Sequence, residues 1–174
     1  GVDVQRGDIC FRANFATVEK RDGRYIVTNR RAGRIETGQE QLADALNGIR
    51  LETVPGVSLE FRASTEHRGA LRLRGDNLSR HVSENDPHET EEPATQFEAE
   101  ADDEAARRTA AALNEFVSRS HEILSEHPVN RKRVEQGELP ANFILARGAA
   151  NCPHIPSIEA IYGVRGAVIA GGAL

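Results

Sequence analysis

Arginines on alternating strand positions carry the chemistry that this sequence suggests most strongly. In the segment 9–15 every second residue is apolar, and Arg12 and Asn14 lie between them, on the opposite face of a strand. Two later segments repeat this alternation with their own arginines, which are Arg62, Arg72 and Arg74. If these strands pair, several guanidinium groups converge on one face. A guanidinium fork suits carboxylate and phosphate oxygens, so we expect a small-anion site, with phosphate as the first candidate ligand.

The candidate site also draws on a loop and a turn next to those strands. The loop 29–34 contains three arginines, and the turn 65–69 contains a histidine beside an arginine. The whole candidate set is Arg12, Asn14, Arg30, Arg31, Arg34, Arg62, His67, Arg68, Arg72, Arg74 and, on a later strand, Arg147. The alternative is a solvated polar sheet face whose arginines cover apolar neighbours. The matching phase of three strands favours the binding site.

The first half of the chain predicts two hairpins and one helix. The segments 8–18 and 24–29 flank an Asp-Gly turn, and the segments 58–64 and 70–76 flank the turn 65–69. Between the hairpins, Thr37 and Glu40 have the spacing of a capping box for a helix that ends near Asn47. We expect a further strand at about 49–53.

The second half predicts helices that alternate with strands. A helix over 103–126 has apolar residues at intervals of three and four, and a second helix runs over 129–136. The apolar run 143–146 is typical of a strand buried on both faces. A short helix then begins at Ser157, and a last strand covers 167–170. The predicted fold class is a mixed α/β layer structure with antiparallel hairpins and flanking helices.

The segment 84–103 is acidic and is expected to be a surface loop. From Glu89 to Asp103 it contains no basic residue. A sharper alternative is a metal site formed by Asn85, Asp86 and His88, although their spacing is not a metal signature. The segment therefore predicts a solvated loop, with the metal site as the alternative.

Composition excludes several functions. The net charge is −5, and residues 81–174 carry 8 Lys and Arg against 16 Asp and Glu, so we expect no nucleic acid partner. No apolar run reaches membrane-spanning length, and we expect a cytoplasmic protein.

Cys10 and Cys152 are predicted to be two idle thiols, with a disulfide or metal site as the alternative. There is no nucleophile elbow or P-loop. The chain begins with Gly1 and contains no Met, so we expect a processed or cut piece; its oligomeric state is left open.

The chain resembles a known family over nearly its whole length. The motifs that carry the resemblance occur in the family's order: the segments 7–18, 30–35, 66–75, 86–88, 113–116, 127–130, 140–142 and 147–149. They are similar to archaeal-type 2,3-bisphosphoglycerate-independent phosphoglycerate mutases, of the alkaline phosphatase superfamily. Two departures are Asn29, where the family is expected to carry Asp, and the pair Glu84-Asn85 before the Asp-Pro-His motif.

The resemblance implies a metal-dependent isomerase of glycolysis and gluconeogenesis that interconverts 3-phosphoglycerate and 2-phosphoglycerate. In such enzymes a serine at a site with two divalent metals (of the Mn, Mg, Zn or Co type) takes the phosphoryl group and returns it to the other hydroxyl. Neither that serine nor the metal ligands match anything here. Residues 1–174 are therefore expected to be a single inserted substrate-binding domain, or lid. The catalytic halves would lie on both sides of it, and we expect the chain alone to bind no metal and to be inactive.

The resemblance also ranks the arginines. Substrate contacts are assigned to Arg12, Arg31, Arg34, His67 and Arg68, with Asn14, Arg62 and Arg72 as support. Arg147 lies on a buried strand and is assigned to an interface with the absent catalytic domain. Three alternatives remain: the substrate-binding domain of a related phosphatase-superfamily enzyme with another substrate, a stand-alone non-catalytic anion-binding module, and a purely structural interaction domain.

Overall fold

A long central strand organises the sheet. The computed structural model describes residues 2–151 and 156–166, and within these ranges six strands form one antiparallel sheet. They are β1 (Ile9–Arg21), β2 (Arg24–Asn29), β3 (Ser58–Ala63), β4 (Arg68–Arg74), β5 (Glu92–Pro93) and β6 (Phe143–Asn151). β1 pairs with β4, β6 and β2, while β3 extends the sheet beyond β4 and β5 beyond β2. The mixed α/β class and both hairpins are confirmed.

Two helices, α1 (Gln39–Leu46) and α2 (Glu104–Glu126), cover the apolar face of this sheet. The other helices of the described residues are α3 (Pro128–Glu135) and α4 (Ile158–Tyr162), together with a 3-10 turn at Ala32–Arg34. α1 contacts β3, and α2 contacts β6. Phe15 and Phe61 meet edge to face at 5.2 Å in the core below them. Because α1 and α2 also contact each other, the apolar side of the sheet is closed and its polar side is left to carry a site.

Most elements of the second half lie where the pattern predicted them. α2 begins after Asp103, whose side chain accepts a hydrogen bond from the Ala106 N–H at 2.5 Å. Phe143 to Ala146 are all buried, as expected for a strand covered on both faces. α4 is capped by Ser157, as predicted. The predicted strand 167–170 and Cys152 lie outside the described residues.

Two local predictions are wrong. The segment 49–53 forms no strand, because Glu115 of α2 binds its backbone instead: the carboxylate accepts the Glu52 N–H at 2.7 Å and the Thr53 N–H at 2.9 Å. The N-cap of α1 is Gly38 rather than Thr37, and it has no side-chain cap bond. Gly38 has a φ of 87°, and a Cβ there would lie 2.6 Å from Val129, so a close approach of α1 to α3 explains the glycine.

The acidic segment 84–103 is more ordered than a solvated loop. It includes β5, which pairs with β2, and Phe97 in it is buried against Phe11. Asn85 and Asp86, at its start, are also buried. The described residues include no helix with the length and apolarity that crossing a membrane requires.

Candidate anion-binding site

Strand register brings three predicted arginines into one row. Arg12 of β1 lies opposite Arg147 of β6 on one side and opposite Ala70 of β4 on the other. Ala70 in turn lies opposite Arg62 of β3. Partners in an antiparallel ladder point to the same face, so the row runs across four strands on the polar side of the sheet. In the neighbouring row, Asn14 lies opposite Arg68.

These rows form the floor of a cleft of about 1060 Å³. The loop after β2 and the turn between β3 and β4 form its walls. Its lining residues are Arg12, Ala13, Asn14, Arg30, Arg31, Arg34, Arg62, Ala63, Ser64, Glu66, His67, Arg68, Gly69, Ala70 and Arg147. The volume is sufficient for a small organic ligand. The structure therefore brings together seven of the eight residues selected from the sequence, and Arg72 is the exception.

Four arginines of the cleft have no anionic partner within the described part of the chain. The side chains of Arg12, Arg31, Arg34 and Arg68 take part in no ion pair or side-chain hydrogen bond there, and all four residues are exposed. Arg62 differs, because its Nε donates to Glu60 at 2.8 Å. Unpaired guanidinium groups gathered around one concave surface raise the local concentration of anions. This is the main electrostatic feature of the cleft.

A strained loop carries Arg31 and Arg34. The residues Ala32, Gly33 and Arg34 all have positive φ, at 45°, 63° and 58°, which is unfavourable for the two that are not glycine. The Asn29 side chain stabilises this turn, because its Oδ1 accepts the Arg31 N–H at 3.0 Å and the Gly33 N–H at 3.1 Å. An amide oxygen serves here as a carboxylate would. Asn29 in place of the expected Asp is therefore compatible with the loop.

A buried arginine supports the same loop from the helical side. Arg133 of α3 donates to the Ala32 carbonyl at 3.2 Å and to the Leu139 carbonyl at 2.9 Å, and it pairs with Glu138 at 2.8 Å. Nothing in the local sequence marks Arg133, because it reaches Ala32 across 101 residues of sequence. Arg133 is a structural support of this loop that the sequence pattern does not reveal.

His67 is the most deeply buried polar group of the cleft. It is 5% exposed, and its Nδ1 has no hydrogen-bond partner among the residues that the structure describes. Burial is the main cause that lowers the pKa of His67 below its usual 6.5, and the positive charge of Arg68 lowers it further, against the opposing charge of Glu66. The imidazole is therefore neutral at pH 7. A neutral ring with a free nitrogen can accept or donate one proton toward a bound ligand.

Asp86 links two further arginines of the cleft. Arg30 donates to Asp86 through Nε at 2.9 Å and through Nη2 at 2.8 Å, and Arg147 donates through Nη1 at 2.6 Å. Burial alone would raise the pKa of Asp86, but the hydrogen bonds from Arg30 and the His88 N–H, with the charges of Arg30 and Arg147, lower it below its usual range. Asp86 is thus an anion under all ordinary conditions.

The side chains of Asn85, Asp86 and His88 are bound to other groups of the protein, which argues against the metal site considered for them. The Asn85 amide is bonded to the backbone of β6, at 3.0 Å to the Ile144 carbonyl and 2.7 Å from the Ala146 N–H. His88 contacts Glu84 instead. In residues 2–151 and 156–166 no three His, Cys, Asp or Glu side chains converge on a point that could hold a metal ion.

The position of Arg147 corrects the expectation that a buried strand would direct it away from the site. The buried part of β6 ends at Ala146, and Arg147 begins the half whose side chains reach solvent. Its partner in the register is Arg12, in the centre of the cleft floor. Arg147 therefore belongs to the cleft.

Arg72 and Arg74 are not in the cleft, although they share the polar sheet face. Arg72 is 7% exposed and donates to Glu60 at 2.8 Å. Arg74 forms a bidentate pair with Asp8, at 2.9 and 2.7 Å. The support role expected for Arg72 has no direct geometric basis, because its charge is bound to the protein's own carboxylates.

A second groove of about 1040 Å³, between the end of α1 and α2, lacks this character. Arg119 in it pairs with Glu52 at 2.6 Å and with Glu115 at 3.1 Å, and it also donates to the Arg50 carbonyl. The guanidinium of Arg119 is thus bound by carboxylates of the same groove, so the cleft, with its four unpaired arginines, is the better candidate for a ligand site.

Comparisons with known proteins agree on one family. The family model described as 2,3-bisphosphoglycerate-independent phosphoglycerate mutase matches residues 1–130. Proteins of that name from Methanopyrus kandleri and Ignicoccus hospitalis are 44% and 43% identical over 100% of the chain. The solved structure of the cofactor-independent phosphoglycerate mutase from Thermoplasma acidophilum is 38% identical over 94% of the chain, with a TM-score of 0.78. The chain spans about two fifths of these relatives: 41%, 42% and 42%.

Proposed function

The chain belongs to the family of 2,3-bisphosphoglycerate-independent phosphoglycerate mutases, and on that premise we propose that it binds phosphoglycerate in the arginine cleft. In this proposal residues 1–174 are the substrate-binding domain of a cytoplasmic mutase of glycolysis and gluconeogenesis. The domain is inserted in an alkaline-phosphatase-like fold. The observation that carries the proposal is the set of four unpaired arginines, Arg12, Arg31, Arg34 and Arg68, around one cleft.

The charge of the ligand matches the charge of the cleft. A phosphoglycerate carries one carboxylate and one phosphate, together about three negative charges at neutral pH. Both groups accept bidentate hydrogen bonds from guanidinium forks. Two of the unpaired arginines come from the strained loop and two from the sheet, so the ligand would be held between the loop wall and the floor of the cleft. Asn14 and the neutral His67 add polar contacts suited to the glycerate hydroxyl.

The reaction would use this chain to retain the glycerate while the phosphoryl group is held elsewhere. Divalent metals and a phosphorylated serine are proposed for the part of the relatives that this chain does not cover. The described residues offer no ligand set for a metal, so no step of this chain is assigned to one. The task of the arginines is orientation: the carboxylate stays bound while the hydroxyl groups exchange positions, and the anion does not escape.

Titration calorimetry of the chain with 3-phosphoglycerate tests the proposal. We expect binding by the wild type, a loss of at least about tenfold in Arg31→Ala, and no change in Arg24→Ala, whose exposed arginine lies at the hairpin turn outside the cleft. Glycerol 3-phosphate, which lacks the carboxylate, should bind more weakly. No binding of 3-phosphoglycerate, or equal affinity in Arg31→Ala, would reject the function. Equal affinity for the two ligands would favour a related phosphatase-superfamily substrate.

A further inference from the structure

We propose that Asp86 is a positioning residue, which holds Arg30 and Arg147 in a fixed orientation at one side of the cleft. Besides Arg62, which is bound to Glu60, the cleft then contains two kinds of arginine, an oriented pair and the four unpaired ones. The inference rests on the proposed function in one respect, that the ligand is phosphoglycerate. The orientation itself depends only on contacts within the chain.

The Asp86 carboxylate is saturated by its own protein. Oδ1 accepts from the Arg30 Nε and from the His88 N–H at 3.0 Å, and Oδ2 accepts from the Arg30 Nη2 and the Arg147 Nη1. A carboxylate offers about four acceptor positions, and these four donors fill them. The side chain is 1% exposed. Asp86 therefore acts through the two arginines and has no remaining acceptor for a ligand.

Asp86 is itself anchored to the strand that carries Arg147. The amide of the preceding residue, Asn85, bonds to the β6 backbone on both sides of Leu145, at Ile144 and Ala146. The Asp86 carboxylate thus has a fixed position relative to β6, and it fixes Arg30 from the distant loop by a bidentate bond. A free arginine side chain loses rotamer entropy when it binds a ligand, and here much of that loss has occurred before the ligand arrives.

The oriented arginines keep donors for a ligand. Arg30 uses Nε and Nη2 for the carboxylate and retains Nη1, while Arg147 uses Nη1 and retains Nη2 and Nε. Both line the cleft. Asp86 also offsets part of the positive charge of these two arginines. Its charge and its orienting role therefore predict opposite changes in anion affinity when the carboxylate is removed. Loss of the negative charge alone would strengthen anion binding, whereas loss of the orientation weakens it.

The test compares Asp86→Asn with Glu66→Gln. Both changes remove one negative charge at the cleft, but Glu66 forms no ion pair with an arginine of the described residues, and its carboxylate lies 3.6 Å from the ring of His67. With 3-phosphoglycerate as the probe we expect Asp86→Asn to weaken binding about tenfold and Glu66→Gln to leave it equal or tighter. Equal or tighter binding by a folded Asp86→Asn overturns the inference.

A second readout needs no ligand. In the NMR spectrum of the ligand-free chain the Arg30 Nε–H signal should be protected from exchange with water, and the protection should be lost in Asp86→Asn. If the wild type binds no phosphoglycerate, the proposed function fails, and this signal together with titration by sulfate still decides on Asp86. If Asp86→Asn does not fold, Arg30→Lys is the substitute variant, because lysine keeps the positive charge but cannot form the bidentate bond to Asp86. Unchanged affinity in Arg30→Lys also overturns the inference.

Discussion

The two ends of the polar sheet face contain similar arginines with different partners. At one end, which we call the unpaired end, Arg12 and Arg68 line the cleft and form no ion pair in the described part of the chain. At the other end, which we call the paired end, Glu60 binds Arg72 and Asp8 binds Arg74. Arg68, Arg72 and Arg74 all lie on β4 in the same phase, and Arg12 lies on the neighbouring strand β1 and points to the same face. The difference shows that strand phase selects the face, while the acidic neighbours decide which arginines remain available to a ligand.

The largest expected effect is on stability, at the paired end. Asp8 is 2% exposed and accepts a bidentate bond from Arg74, so Asp8→Asn should lower the free energy of unfolding by about 3 kcal/mol, at the low end for a broken buried pair because Arg74 reaches solvent. Chemical denaturation measures this. The matched control is Asp22→Asn in the exposed hairpin turn, which should stay within about 0.5 kcal/mol of the wild type.

The same carboxylate gives this end a pH dependence. Hydrogen bonding to Arg74 lowers the pKa of Asp8 in the folded chain below the usual 3.8, despite its burial. Its contribution to stability is therefore complete above that value and is lost as the pH falls through the lower, folded pKa. Asp8→Asn should flatten the fall in stability below about pH 4. An unchanged acid profile in the variant would mean that the paired arginines do not stabilise this end.

The next effect is on affinity, at the unpaired end. Arg12→Gln should weaken 3-phosphoglycerate binding by about 10- to 100-fold, because a charge-assisted hydrogen bond contributes about 1.5–3 kcal/mol, and it should leave the unfolding free energy nearly unchanged. Arg72→Gln, at the other end of the same face, should do the reverse, since it leaves Glu60 without a buried partner. Calorimetry gives the affinity of each variant for 3-phosphoglycerate, and chemical denaturation gives its free energy of unfolding. If the two variants lose affinity equally, the presence of a carboxylate partner does not decide which arginines bind the ligand.

The sequence predicts one half of this comparison and not the other. Alternation places Arg12, Arg62 and Arg72 on one polar face, and the turn residues fix both hairpins. The pairing of Arg62 with Glu60 is visible in the sequence, because residues two apart on a strand share a face. Asp8 and Asp86 reach their arginines across 66, 56 and 61 residues, and such contacts have no local signature.

The wrong predictions have the same physical origin. The helix cap at Thr37 and the strand at 49–53 are predictions from local preference. At Gly38 and in the segment 49–53, tertiary contacts with Val129 and Glu115 override that preference. For the candidate site, the periodic pattern of the strands predicts which arginines share a face, whereas a single distant carboxylate, which leaves no local pattern, determines which of them are paired.

The smallest expected effect is the movement of one proton at the unpaired end. Burial and then the charge of Arg68 hold the pKa of His67 below 6.5 in the ligand-free chain. A bound anion near the ring opposes the second cause, so saturation with sulfate, whose charge is constant at these pH values, should raise the pKa of His67. Anion affinity should then increase as the pH falls through the ligand-free value, because the protonated ring attracts the anion.

Histidine NMR signals followed against pH, with and without sulfate, measure this shift. His127 provides an internal control, because burial lowers its pKa as well, but it caps α3 and does not line the cleft. We expect the His67 midpoint to rise and the His127 midpoint to stay in place. If both move together, the cause is a general effect of salt. If neither moves while sulfate binds, the anion lies beyond the reach of His67, and the site is restricted to the unpaired arginines on the opposite wall.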